Sequence, residues 1–127
     1  MMQREFDYQL TLRLKRHGVF FGPGVVEVLQ LVGQYGSLNA AAQKMGMSYN
    51  KAWRIIHHAE KQWAIPLITS SVGGANGGGT QLAPAAKVLI QRYLAFEAAA
   101  QQQVDQLFSH YFADIKIGMS EAQMHEK

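Results

Sequence analysis

Apolar and polar residues alternate from Phe6 to Lys15. Phe6, Tyr8, Leu10, Leu12 and Leu14 interleave with Asp7, Gln9, Thr11, Arg13 and Lys15, a period of two that predicts a half-buried strand. His17-Gly18 is a turn and Val19-Phe20-Phe21 a short return strand, so a hairpin opens the chain. Gly22-Pro23-Gly24 breaks that pattern. Val25, Val28, Leu29, Val32 and Tyr35 then recur at helical spacing, and this first helix stops at Gly36.

The next stretch, Ser37 to Ile56, holds two helix starts. Ser37 and Ser48 can each accept a bond from an unpaired N–H of a first turn. Gly46 between them is the residue that takes the left-handed conformation at least cost. Ala41, Ala42, Met45, Met47, Ala52 and Ile55 fall on one inner surface of two short helices, and Ala42 is small enough for those helices to cross closely. This is the pattern of a helix-turn-helix, whose second helix is shaped to enter a DNA major groove. The alternative is an ordinary corner in an all-α core. The third helix is predicted from Tyr49 to about Trp63, with Ala52, Ile55, Ile56, Ala59 and Trp63 as its buried stripe, and Pro66 ends the segment.

Leu67 to Val72 reads as a strand and Thr80-Gln81-Leu82 as its partner, flanking Gly73-Gly74-Ala75-Asn76-Gly77-Gly78-Gly79. Two strands around a glycine loop, just after a recognition helix, make a wing. A nucleotide cradle would need a helix and a lysine after the glycines, and neither is present. Pro84 suits the first turn of a fourth helix. Leu89, Tyr93, Phe96, Ala100, Val104, Leu107 or Phe108, Tyr111 and Ile115 follow at steps of three and four, which carries the helix to about Phe112. The expected fold is mainly α with small β: a winged helix-turn-helix over residues 1–83, a long helix over 84–115, and a loose tail over 116–127.

Composition narrows the function. The chain of 127 residues is enough for one domain with one core. It has no cysteine, no apolar run near the roughly 20 residues of a membrane helix, and no opening segment of signal-peptide type. A cytoplasmic protein away from membranes is expected. The net charge of +3 is unevenly spread. From Ser37 to Arg92 there are six basic residues against Glu60 alone; from Tyr93 onward two basic residues face five acids. A basic middle fits either a polyanion partner or a solvated charged face.

From Leu10 to Tyr93 the chain resembles the N-terminal DNA-binding domain of the bacterial molybdate-responsive regulator ModE, which is related to that of LysR-type regulators. The resemblance is carried by Gly36-Ser37-Leu38, Ala41-Ala42, Met45-Gly46-Met47-Ser48-Tyr49, Ala52-Trp53, Pro66-Leu67 and the loop from Gly73 through Thr80-Gln81-Leu82. It implies a winged helix-turn-helix that binds DNA. Members often carry a lysine where this chain has Asn76, and full-length members bind the oxyanion in C-terminal domains. Nothing after the fourth helix is long enough to be such a domain, so molybdate binding by this chain is not expected.

The expected partner is double-stranded DNA. Tyr49, Asn50, Lys51, Trp53, Arg54 and His57 lie on or near the exposed side of the recognition helix. Arg54 could pair bidentately with guanine and Asn50 with adenine, while Lys51 suits phosphate. Ser48 and Tyr49 can bond phosphate at the helix start. Trp53 fits either core or contact surface. Asn76, Gly77 and Gly78 are placed at a minor groove. His57 and His58 are adjacent, do not face one point, and no carboxylate cluster joins them; neither a metal nor another cofactor is expected. Glu60 beside His57 lacks a nucleophile, so catalysis is not expected. A homodimer is expected through Leu89, Tyr93, Phe96, Ala100, Val104, Leu107, Phe108 and Tyr111. The competing expectation is a winged-helix module that binds protein through the fourth helix.

Overall fold

Two hairpins and three short helices gather around a single apolar cluster. The computed structural model describes residues 4–71 and 79–125. In chain order the elements are β1 (Leu14–Lys15), β2 (Val19–Phe21), α1 (Pro23–Tyr35), α2 (Leu38–Lys44), α3 (Tyr49–Trp63), β3 (Ile68–Ser71), β4 (Gly79–Leu82), α4 (Pro84–Phe112) and α5 (Glu121–Met124). They divide into a unit spanning Thr11–Ala95 and a second unit made of the first ten residues with those from Phe96 onward.

In the Thr11–Ala95 unit, Phe21, Val28, Leu29, Val32, Ile56 and Leu67 are fully enclosed. Each such side chain stabilises the fold by about 1.5–3 kcal/mol. Among the described residues no polar or charged side chain is buried with them. α1 starts on Pro23, whose missing N–H is not needed there, and ends on Gly36 at φ 67°. β3 and β4 pair antiparallel, Ile68 with Leu82 through Ser71 with Gly79. They are anchored to α1, because Thr80 donates its N–H to the Gly36 carbonyl at 3.0 Å. Gly33 permits this approach: a Cβ there would meet Leu82 Cδ1 at 2.8 Å.

The strand expected over Phe6–Lys15 is a correction. Only Leu14 and Lys15 enter a ladder, pairing antiparallel with Phe21 and Val19 across a bulge. A three-residue return strand cannot pair with a ten-residue one. The alternation survives as one-sided burial, with Phe6, Tyr8, Leu10, Leu12 and Leu14 half-buried and Asp7, Gln9, Arg13 and Lys15 exposed.

The second unit shows what the apolar edge found in place of a strand. The Phe6 ring meets Phe108 and Phe112 edge-on at 5.7 and 5.9 Å. Tyr8 lies 5.2 Å from Phe108, and its hydroxyl donates to the Asp105 carboxylate. That bond holds the Tyr8 phenol above its ordinary pKa. Asp7 is held below the usual carboxylate range, chiefly by the N–H of Tyr8.

The fourth helix ends at Phe112 as its periodicity predicts, but its apolar residues are not one exposed stripe. Tyr93 is 4% exposed, packs edge-on to Phe21 and donates its hydroxyl to the Leu12 carbonyl. It belongs to the core of its own unit and is withdrawn from the expected dimer surface. Leu89 packs on the same core. Phe108 is half-buried under Phe6 and Tyr8. Phe96, Leu107 and Tyr111 remain exposed, and Ala100 and Val104 are partly so.

A candidate nucleic-acid interface

Three serine and glycine positions set the turn between α2 and α3. Ser37 Oγ accepts the N–H of Ala40 at 3.0 Å, and Ser48 Oγ accepts that of Lys51 at 3.1 Å. Each cap stabilises its helix by about 1 kcal/mol. Gly46 sits at φ 67°, and the following Met47 N–H returns to the Ala42 carbonyl at 3.0 Å. The two helices meet through Ala41, Ala42 and Ala52, all enclosed. α3 ends on Ala64, a non-glycine residue at φ 61° whose N–H reaches the Glu60 carbonyl.

With Ala52, Ile56 and Ala59 turned inward, the rest of α3 divides into three faces. Asn50, Lys51, Arg54 and Lys61 are exposed and point away from the core. Tyr49, Trp53, His57 and Glu60 turn toward the wing strands and, with Ser70 and Thr80, line a groove of about 330 Å³. Ile55 and His58 turn toward the first hairpin and, with Arg13 and Val19, line a second groove of about 400 Å³.

The wing side is built on Glu60. Its Oε2 accepts the N–H groups of Leu67 at 2.7 Å and Ile68 at 3.3 Å, tying the root of β3 to α3. Its Oε1 lies 3.6 Å from His57 Nε2. The His57 Nδ1 lies 2.9 Å from the Trp53 carbonyl; a carbonyl can only accept, so Nδ1 carries the proton there. The His57 ring stacks on Trp53 at 3.7 Å and 16°. Trp53 is 44% exposed, so it is a surface residue fixed by its neighbour and not part of the core.

Of the expected contact residues, Asn50, Lys51 and Arg54 thus stand on the outer face of α3, Tyr49, Trp53 and His57 on its wing side, and Ser48 at its N-terminal cap. Asn76, Gly77 and Gly78 lie outside the described residues. Sequence reasoning overlooked the tether made by Glu60, although a lone acid in a basic segment was its signal. It also overlooked Ser70 and Thr80 in the groove, and the basic run Arg13-Leu14-Lys15-Arg16-His17 beside α3. Among the described residues no group of three or more histidines and carboxylates could hold a metal ion, and no helix is long and apolar enough to cross a membrane.

A capped helix-turn-helix followed by two antiparallel strands defines the class of winged helix-turn-helix folds. Residues 25–87 match the family described as bacterial regulatory helix-turn-helix protein, lysR family. The molybdenum-pterin-binding protein MopB of Rhodobacter capsulatus is 40% identical over 67% of this chain and 32% of its own length. The transcriptional regulator ModE of Haemophilus influenzae is 38% identical over 66% of this chain and 32% of its own. The chain thus spans about a third of the length of these curated relatives. Among solved structures, the CbnR_DBD–DNA complex aligns with a TM-score of 0.53 at 16% identity, over 68% of this chain and 94% of that one, a likeness of fold.

Proposed function

We propose that the chain is a sequence-specific reader of duplex DNA that acts as a homodimer. The observation that carries the first part is the outer face of α3, where Asn50, Lys51 and Arg54 stand exposed on a helix whose other sides are packed or flanked. Arg54 and Asn50 have the donor groups for base edges, and Lys51 and the α3 start suit phosphate. The wing that follows β3 serves the neighbouring minor groove through Asn76, Gly77 and Gly78. ModE of Haemophilus influenzae is named a transcriptional regulator, which agrees with this role. The dimer is supported by Phe96, Leu107 and Tyr111, which are 52%, 54% and 66% exposed on α4. Large apolar side chains along one helix are commonly covered by a partner. Two-fold pairing would present two α3 helices to a near-palindromic site. The test is fluorescence anisotropy of the chain with a pool of random duplexes across a salt series. Selection of a preferred sequence, with affinity falling steeply as salt rises, is expected. Affinity that is equal for all sequences, or flat in salt, would overturn the assignment.

A further inference from the structure

The hairpin before α1 carries positive charge with no counterpart. Arg13, Lys15, Arg16 and His17 are all exposed, and no acid stands between residues 13 and 18. None of the ion pairs among the described residues involves them, nor Lys51, Arg54 or Lys61 of α3. Like charges left together without carboxylates are maintained at a cost in self-repulsion, and a polyanion relieves it.

The hairpin is also held in place. Arg16 Nη1 donates to the Gln62 carbonyl at 3.3 Å, one of the last carbonyls of α3, where a cation is favoured. The stem of Arg13 lies over Gly22, and a Cβ there would stand 3.0 Å from Arg13 Cγ. Arg13 shares its groove with Ile55 and His58. His58 in turn stands one helical turn from Arg54 and from Lys61. Exposed basic side chains therefore stand both on the outer face of α3 and on the hairpin, with a mainly apolar groove lined by Val19, Phe20, Ile55 and His58 between them.

We infer that the β1–β2 hairpin is a second DNA-contacting element, in which Arg13 and Lys15 grip the phosphate backbone beyond the groove occupied by α3. The inference rests on duplex DNA being the partner of α3. The hairpin contributes affinity and footprint and no base preference, because its cations meet phosphates and not base edges. It plays on one flank of α3 the role the wing plays on the other.

The test uses the full chain carrying Arg13→Gln and Lys15→Gln together. Arg16 is left intact because it docks the hairpin, and circular dichroism should show an unchanged fold. On a duplex selected by the wild-type chain, the slope of log affinity against log salt should fall in magnitude by about 3.6 for the bound dimer, close to 0.9 for each of the two phosphates per protomer no longer neutralised. The ratio of affinities for selected and scrambled duplexes should stay constant, and a hydroxyl-radical footprint should shorten at its outer edges. Arg54→Gln in parallel should lower that ratio, by roughly 5- to 150-fold for the loss of one bidentate base contact. If Arg54→Gln does so while the hairpin variant keeps the wild-type slope and footprint, the hairpin role is overturned and the reading by α3 stands. If the wild-type chain binds no duplex at all, both fall.

Discussion

The carboxylate of Glu60 accepts the backbone N–H of Leu67 at 2.7 Å. It links α3 to the chain that leaves it toward β3. A second bond, to Ile68, shares the same oxygen. The Glu60 side chain is largely shielded from water, so removing it would strand two backbone donors. Glu60→Ala should lower the unfolding free energy by about 1–3 kcal/mol, measured by urea denaturation, and Glu60→Gln should lie between that variant and the parent. A stability loss confined to the wing would show as faster amide exchange at Leu67 and Ile68 without a global change.

Base preference should reside on α3. Arg54→Ala and Asn50→Ala are each expected to cost about 1–3 kcal/mol at the preferred site and to relax selection at one base pair. Lys51→Ala should weaken all duplexes alike. Competition binding with single-base variants of the selected site measures both effects.

The proposed dimer is checked with Leu107→Lys and Tyr111→Lys. Both side chains are exposed, so the fold should persist by circular dichroism. Sedimentation should show a monomer, and affinity for a two-half-site duplex should drop far more than for a half-site.

Tyr8 provides a pH test. Its phenol is held above the ordinary value of 10.0 by the bond to Asp105. A proton bound more tightly in the folded state favours folding at pH values below the unfolded pKa. That contribution is lost as pH rises through the higher folded pKa. Absorbance titration should therefore find a late-ionising tyrosine that Tyr8→Phe removes, and Asp105→Asn should let that phenol ionise at lower pH. Stability should decline above about pH 10 more steeply in the parent than in Tyr8→Phe.

Ala64 occupies the left-handed region at φ 61°, where a Cβ is strained by about 1–2 kcal/mol. Ala64→Gly should raise the thermal midpoint, the gain being reduced by the extra freedom of the unfolded glycine.

Most of the fold was legible because each helix carries its own signals. Ser37, Gly46, Ser48 and Pro84 mark helix ends by local chemistry, and α3 and α4 end at Trp63 and Phe112 as their periodicity predicts. The N-terminal segment was not legible in the same way. A period of two reports that one edge of an extended chain is buried, but not what buries it. For Phe6 and Tyr8 the answer is a set of aromatic rings about a hundred residues later. The outer face of α3 followed from helical geometry alone. The tether from Glu60 did not, because it joins a helical side chain to backbone N–H groups seven and eight residues on, across a break that no periodicity describes. Tyr93 misled for a related reason. It falls in step with the apolar residues of α4, yet its ring closes the core of the first unit.

The alanines between α2 and α3 have a consequence for how such a protein can change over generations. Ala41, Ala42 and Ala52 are enclosed, and alanine has no rotamers to lose or to rearrange. The spacing of the two helices is therefore fixed by methyl groups that are indifferent to what stands on the far side of α3. Residues 50, 51, 54 and 61 can be exchanged without repacking the interior, whereas a larger residue at position 42 or 52 would force the helices apart. If α3 reads DNA as proposed, mutation can move the chain from one target sequence to another along a path of folded intermediates, with exchange permitted on the outer face and forbidden on the inner one.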